Sequence, residues 1–419
     1  MRRIEEDLPI VAIDVSKNSS HAQGYLGRGR PLSRPFAFEH DRDGLSTLSS
    51  AIGELRARTG KEPVAVLEAT GVYSEPLVRY LRGTGVEVAA LSPMRTHSVG
   101  QALTKEGVKS DLRDCATIAE AAYLLGRPEP VSEDLRDSRE LVGECARATA
   151  ELRRAKCRLS RLLDLVFVTA ISKFKKRVYS SGFLNLIARY PHPDLVAKCS
   201  VRAACSAMAK GTVHSPAYFS AGAKAFREAC GAAYSGAPVD GRAVRELSEQ
   251  ARALSALKER SERLHEEVVS TARARFPELF ASVSKVPGLS GYTGAALVCF
   301  CGGMLIGLTS KQLVSYLGLA PRISQSGLRS GKGLSITKRG DSYMRSLMYL
   351  AARTAVAMGS PGFTEYYRRK VSGDRKCGAH TRRSALIATA VKMVGVLHSL
   401  ATHPEAEYDP QRITGIINH

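Results

Sequence analysis

Lys109-Ser110-Asp111-Leu112-Arg113-Asp114-Cys115-Ala116 is the stretch whose reading decides the fold of this chain. It opens a helical pattern that continues through Ile118, Ala119 and Ala122. Asp111 and Asp114 are three residues apart, a spacing that puts both carboxylates on one face of a helix. Two acids side by side repel unless a cation neutralises them. The plainer alternative is a helix start, with Ser110 or Asp111 as N-cap and the acids favoured by the helix dipole. Two earlier acids shift the balance, because each stands where a strand should end. They are Asp14, in Ile10-Val11-Ala12-Ile13-Asp14-Val15, and Glu68, in Val64-Ala65-Val66-Leu67-Glu68.

Outward from that stretch, the periodicity predicts an α/β domain. Leu8 to Val15 and Pro63 to Ala69 are apolar runs of strand length, and Val86 to Leu91 is a third. His21 to Leu26 and Pro35 to Glu39 are shorter extended segments behind turn-rich pieces, giving a three-strand antiparallel meander at the start. Leu45, Leu48, Ile52 and Leu55 fall at helical spacing, and a second helix through Leu77, Val78 and Leu81 stops at Gly83-Thr84-Gly85. Strands alternating with crossover helices make a mixed sheet, and such sheets carry ligand sites at the carboxyl ends of their parallel strands. If the Asp14 and Glu68 strands are neighbours, both acids point to one place and the Asp111 helix supplies the other two. Four converging carboxylates require a metal, and oxygen-only ligation selects Mg²⁺ or Mn²⁺. A site of that kind serves in-line displacement at phosphorus. The residues therefore predict a metal-dependent phosphodiester enzyme of ribonuclease-H-like fold.

Composition bounds the partners. The 419 residues have room for two or three domains, and 44% hydrophobic content argues for a globular chain. A formal charge of +21 and a pI near 9.7 point to a polyanion, most often nucleic acid, with a general solubility charge as the alternative. Aromatics are only 6% and Trp is absent, so there is little material for base stacking. The nine Cys are odd in number and scattered, with no C-x-x-C, which predicts reduced thiols in a cytoplasm rather than disulfides or zinc. The ten His do not cluster at ligand spacing. The first residues lack an apolar signal segment and no run of eighteen apolar residues occurs, so no membrane partner is expected. Gly331-Lys332-Gly333 lacks the upstream glycine and the strand of a phosphate loop, so no nucleotide cofactor is expected.

Past residue 130 the pattern becomes helical. Leu141, Cys145, Ala148, Leu152, Ala155, Leu159, Leu162 and Val166 alternate spacings of four and three, the seam of a coiled coil. Leu247, Ala251, Leu254, Leu257, Ser261, Leu264 and Val268 form a second seam, with one break between Leu254 and Leu257. The two helices are expected to pack antiparallel, either within one chain or across a dimer. Arg153, Arg154, Lys156, Arg158, Lys175, Lys176 and Arg177 crowd the first seam's second half, as a nucleic-acid track or simply a solvated face. Residues 178–240 are a helical insertion whose residues name no chemistry. Val286-Pro287-Gly288-Leu289-Ser290-Gly291-Tyr292 looks like the turn of a helix-hairpin-helix, in which Gly288 and Gly291 let backbone N–H groups approach a phosphate; a plain turn between helices is the alternative. Further on, Ser324-Gln325-Ser326-Gly327-Leu328-Arg329-Ser330 is a hydroxyl-rich loop flanked by Arg322, Lys332, Lys338 and Arg339. A recombinase rejoins strands without an external energy source, and a covalent phosphoester on a hydroxyl would conserve the bond energy. Ser326, exposed by Gly327, suits that role, with Ser324 and Ser330 as close competitors.

The set Ile13-Asp14-Val15-Ser16-Lys17, Leu67-Glu68-Ala69-Thr70-Gly71-Val72-Tyr73 and Lys109 to Asp114 resembles the amino-terminal DEDD domain of the IS one-ten insertion-sequence transposases. These are relatives of Piv-type DNA invertases and, in fold, of RuvC junction resolvases. The chain departs from that pattern at Cys115, where the family more often has Ala. The blocks at Val286 to Leu297 and Ser324 to Gly340 resemble the family's carboxy-terminal domain, with Gln325 separating two serines that the family has adjacent. The resemblance implies domains at 1–130 (RuvC-like), 131–278 (helical coiled coil, with the 178–240 insertion) and 279–419 (carboxy-terminal transposase domain). It implies that Asp14, Glu68, Asp111 and Asp114 bind Mg²⁺ and that Ser326 attacks DNA, assisted by that metal from the other domain. It also implies a noncoding guide RNA that pairs with target and donor DNA, and a homo-oligomer, a dimer forming a tetramer on DNA. The same resemblance implies a bacterial cytoplasm, by the nucleoid. The rivals are a junction resolvase, nuclease or invertase, and a non-enzymatic nucleic-acid scaffold.

Overall fold

The computed structural model describes residues 4–69, 71–103, 111–126, 133–172, 174–212, 215–289, 291–321, 325–326, 329–330, 336–372 and 378–415. The chain divides into two compact units, Met1–Ser132 and Glu133–His419.

Unit 1 is built on β1 (Ile10–Val15), β2 (Ser19–Gly27), β3 (Arg30–Pro31), β4 (Phe36–Glu39), β5 (Val64–Glu68) and β6 (Glu87–Leu91). The sheet order is β3-β2-β1-β5-β6, with β4 also pairing with β2. β1 and β2 are antiparallel, whereas β1, β5 and β6 run parallel. The parallel crossovers are made by α1 (Arg42–Thr59) and α2 (Glu75–Gly83); α3 (Pro93–Leu103) and α4 (Asp111–Leu125) follow β6. β1 and β5 have side chains that are apolar on both faces because both faces are covered. Val11, Ile13, Ala65 and Leu67 pack with Leu48, Ile52 and Leu55 of α1 and Leu77, Val78 and Leu81 of α2. Ile10, Ala12, Val64, Val66, Ala89 and Leu91 pack on the other face with Val99 of α3 and Cys115, Ile118, Ala119 and Ala122 of α4. The helix absent from the sequence reading is α3, whose apolar residues are too sparse to show a stripe.

Unit 2 hangs on two helices of 34 residues, α5 (Glu133–Val166) and α11 (Arg242–Arg275). Their contacts step backward along α11 as they step forward along α5: Asp134 and Asp137 meet Arg275, Glu151 meets Arg260, and Arg158 meets Gln250. The helices are thus an antiparallel pair within one chain. All the seam residues on both helices are buried or half-buried between them and their neighbours, including Cys145, Ala148, Leu159, Ala251, Leu254 and Val268 at 2% exposure or less. Burying a side chain such as Leu159 stabilises the fold by roughly 1.5–3 kcal/mol. Both seams are buried inside the chain, the intrachain one of the two expected arrangements. The intervening segment holds each helix beside its partner, which raises their effective concentration for each other.

That segment consists of α6 (Thr169–Ser172), a 3₁₀ turn at Lys175–Tyr179, α7 (Ser181–Arg189), α8 (Pro193–Lys198), α9 (Val201–Ala209) and α10 (Pro216–Gly231). It folds on an aromatic cluster of Phe167, Phe174, Phe183 and Phe226, with ring centroids 5.0–5.5 Å apart. Beyond α11 come α12 (Pro277–Ser284), α13 (Tyr292–Cys301), α14 (Met304–Gly307), α15 (Ser310–Tyr316), the short strands β7 (Gln325–Ser326) and β8 (Arg329–Ser330), and then α16 (Ser342–Ala357), α17 (Phe363–Ser372), α18 (Ala379–Thr402) and α19 (Gln411–Gly415). These helices share one core with Cys145 and Ala148 of α5 and Val268 and Ala272 of α11. The stretch Thr381–Thr402 is long and apolar enough to cross a bilayer by length and composition, with mean hydropathy 1.5. Its Ala390, Met393, Val394 and Leu397 are fully buried in this core, the place of a central core helix.

Candidate active site

Asp14 and Glu68 are brought together by strand register. β1 and β5 are paired in parallel with Ile13 opposite Leu67, so the next residues along, Asp14 and Glu68, stand side by side. Strand alternation puts both on the face of Ala12 and Val66, which is the face covered by α3 and α4. Asp14 is also paired across β2 with His21, whose carbonyl accepts a hydrogen bond from the Cys115 thiol at 3.4 Å. Cys115 lies next to Asp114 and one helical turn after Asp111, so the acidic start of α4 is placed at the Asp14 end of the sheet. Asp111 is the first residue of α4, and its side chain lies outside the described residues. Asp14, Glu68 and Asp114 are all half-buried.

α3 contributes a residue that no sequence signal singled out. The Thr96 hydroxyl, 2% exposed, donates to Glu68 Oε2 at 2.7 Å and lies 3.0 Å from the Pro93 carbonyl of its own helix. One proton serves two acceptors, and the shorter, charged one dominates. Thr96 thereby orients the Glu68 carboxylate.

The donors at this end of the sheet are carboxylates, the oxygen chemistry that a hard divalent cation prefers. Carboxylates on neighbouring parallel strands repel, and a hard dication relieves that repulsion. Among the described residues no three His, Cys, Asp or Glu side chains form a metal-holding group. Thiols offer no alternative donor set. The eight described cysteines form no disulfide with one another, and burial pushes Cys230, Cys299 and Cys301 up to about 12, which keeps them protonated and apolar.

In unit 2, Ser326 ends β7 and is paired directly with Arg329 of β8, with Gln325 opposite Ser330. The base of this hairpin is pinned by a bridge between Pro321 and Ile336 and by the Thr337 amide donating to the Ala320 carbonyl at 2.8 Å. The side chains of Ser326 and Arg329, and Arg322, Ser324 and Lys332 entirely, lie outside the described residues. Lys338 and Arg339 are exposed just past the hairpin, Lys338 at φ +55°.

The remaining basic candidates divide. Arg153, Arg154, Lys156 and Arg158 are exposed on α5, with Lys156 Nζ 5.9 Å from the Tyr179 ring centroid. Arg177 is exposed on the 3₁₀ turn; the Lys175 and Lys176 side chains lie outside the described residues. The glycine turn before α13 corrects one expectation. Gly288, at φ +89°, is packed so closely on α16 that an added Cβ would sit 2.5 Å from the Ala351 carbonyl oxygen. Its glycine is required by packing inside the fold, not by approach to a phosphate. Gly291, at φ +66°, is exposed and faces open space.

Comparison with known proteins places this architecture among transposases. Residues 11–168 match a family described as "Transposase" of DEDD type, and residues 281–368 match the "Transposase IS116/IS110/IS902 family". Over 400 residues the chain is 24% identical to the "Insertion element IS116 uncharacterized 44.8 kDa protein" of Streptomyces clavuligerus, covering 93% of this chain and 94% of that one. A 118-residue stretch is 32% identical to a "Probable family 20 transposase" of Pseudomonas aeruginosa, 28% of this chain and 32% of that one. The chain belongs to the IS110/IS116 family of transposases.

Proposed function

We propose that this transposase is a DNA strand-exchange enzyme in which a ribonuclease-H-like carboxylate cluster in unit 1 works with a serine nucleophile in unit 2. The observation that carries the first half is the side-by-side register of Asp14 and Glu68 at the end of two parallel strands, on the face that α4 covers with Cys115, Ile118, Ala119 and Ala122. Asp14, Glu68, Asp111 and Asp114 would hold Mg²⁺ or Mn²⁺. Bound there, the ion would lower the charge on the scissile phosphate and favour loss of a proton from the attacking hydroxyl. Thr96 keeps Glu68 in one orientation, so the carboxylate need not be ordered during the reaction.

Ser326 supplies the attacking oxygen. Its Oγ forms a bond to phosphorus as the bond from phosphorus to the leaving deoxyribose oxygen breaks; the serine proton leaves and the departing oxygen takes one up. Attack by a DNA hydroxyl reverses these steps and restores the serine. Its support is the hairpin that ends β7 at Ser326 opposite Arg329, where a guanidinium is suited to the flanking phosphate. The exposed α5 cations would carry further backbone contacts, and a structured noncoding RNA encoded with the element would select the sites, consistent with the charge of +21.

The test is a trap for the covalent intermediate on a nicked DNA substrate. Wild type should yield DNA attached to protein. Ser326→Ala should bind DNA and form no adduct, whereas Ser324→Ala and Ser330→Ala should still form one. An adduct that survives Ser326→Ala would move the nucleophile elsewhere, and nicked products without joined ones would favour a hydrolytic resolvase.

A further inference from the structure

The helical insertion between α5 and α11 carries a feature that neither the carboxylates nor the serine hairpin explains. α7, α9 and α11 enclose a trough of about 1190 Å³, lined by Arg189, Arg202, Lys210 and Arg252, with Glu259 the one acid among the described lining residues. None of the four cations forms an ion pair with a described residue, and all four are exposed. Four like charges facing one carboxylate leave an excess of positive charge that favours an arriving anion.

The trough is also held in shape. The α7 carbonyl of Ala188 accepts from Ser248 Oγ at 2.6 Å and from Arg252 Nη2 at 3.3 Å, which ties α7 to α11. Asn185 Nδ2 donates to the Lys210 carbonyl at 2.6 Å and ties α7 to the end of α9. Arg189 is braced on its neighbour: Nε donates to Tyr190 Oη at 3.2 Å, and the guanidinium lies 5.6 Å from the ring centroid. Two of the cations are therefore fixed before any ligand binds, which lowers the ordering cost of binding.

We propose that this trough binds the phosphates of duplex DNA outside the exchanged bonds. The inference rests on the reading of the chain as a DNA transposase. Its volume exceeds the range of roughly 300–1,000 Å³ that suits a single small molecule, so an extended polyanion is the better occupant. Three of the four cations are Arg, whose planar fork matches phosphate oxygens. No aromatic side chain is among the described lining residues, so these offer nothing on which to stack unpaired bases. Contacts of this kind hold DNA in register and carry no sequence information.

The experiment uses full-length protein with duplex DNA and, in parallel, single- and double-stranded RNA, without divalent cations. Arg202→Gln combined with Lys210→Gln is the variant of choice, because neither side chain makes a hydrogen bond among those described; thermal melting should match wild type. Loss of two phosphate contacts should flatten the log–log salt dependence of duplex DNA binding by about 2, and weaken it about equally for every DNA sequence. An unchanged slope and affinity in a folded variant would overturn the proposal. So would a loss confined to RNA, or a loss confined to one DNA sequence. Because no metal and no cleavage is involved, this result is independent of whether Asp14 or Ser326 has the role proposed above.

Discussion

Thr96→Val gives the most direct test of how the carboxylate end of the sheet works. The substitution keeps the shape of the side chain and removes only its hydroxyl, which donates to Glu68 Oε2 at 2.7 Å from a position 2% exposed. A hydrogen bond to a charged group contributes about 1.5–3 kcal/mol. Water can reach the half-buried Glu68 and offset part of that, so the expected loss of stability is about 1 kcal/mol. The functional loss should be larger in proportion, because the carboxylate becomes free to rotate: partners of metal-ligating groups typically matter about 10- to 100-fold in metal affinity or activity. Single-turnover strand cleavage and calorimetric titration with Mn²⁺ would measure both. Thr96→Ser restores the hydroxyl and should recover most of each. Wild-type cleavage and Mn²⁺ affinity in Thr96→Val, alongside an inactive Glu68→Ala, would show that Glu68 needs no orientation by α3. If Thr96→Ser behaves like Thr96→Val, the methyl group and not the hydroxyl is the important part.

Asp14→Ala should abolish cleavage in Mg²⁺ while DNA affinity holds or rises, since a negative charge is gone; normal cleavage would remove Asp14 from the cluster. Leu159→Ala, at a fully buried seam position, should cost about 2–5 kcal/mol in denaturant titrations, with a melting temperature independent of protein concentration; a concentration-dependent one would place the seam between chains. His265 stacks on Tyr292 with centroids 3.8 Å apart, and its Nε2 is buried with no hydrogen-bond partner among the described residues. His265→Phe keeps the stacking and should stabilise by about 1 kcal/mol at neutral pH. Burial holds the His265 imidazole below the usual histidine range, partly opposed by Glu262. A depressed histidine leaves the unfolded chain binding more protons, so wild-type stability falls as pH drops below about 6.5. The gap in melting temperature between the Phe variant and wild type should therefore widen from pH 7 to pH 5.5, and a constant gap would rule out the protonation argument.

Much of unit 1 could be read from local pattern. Apolar runs of strand length at Ile10–Val15, Val64–Glu68 and Glu87–Leu91 are buried on both faces, and two of them end at or next to an acid. Such runs are visible because a central parallel strand has no solvent face to encode. The heptad seams were legible for the same reason, since a long helix must repeat its buried stripe. α3 was not legible: it buries little, and Thr96 matters only through a hydroxyl that meets Glu68 across 28 positions of sequence.

Sequence by itself determined which residues must be buried, which strands end in carboxylates, and that the chain carries an excess of positive charge. These follow from side-chain chemistry and from periods of 2 and 3.6 residues, which are local. Tertiary structure alone decided which partner each surface meets. It closed the two seams on each other within one chain, turned Gly288 inward against Ala351, and gathered Arg189, Arg202, Lys210 and Arg252 into one trough. Periodicity names a buried face but is silent on what covers it, and cations up to 63 positions apart along the chain become neighbours only when α7, α9 and α11 pack.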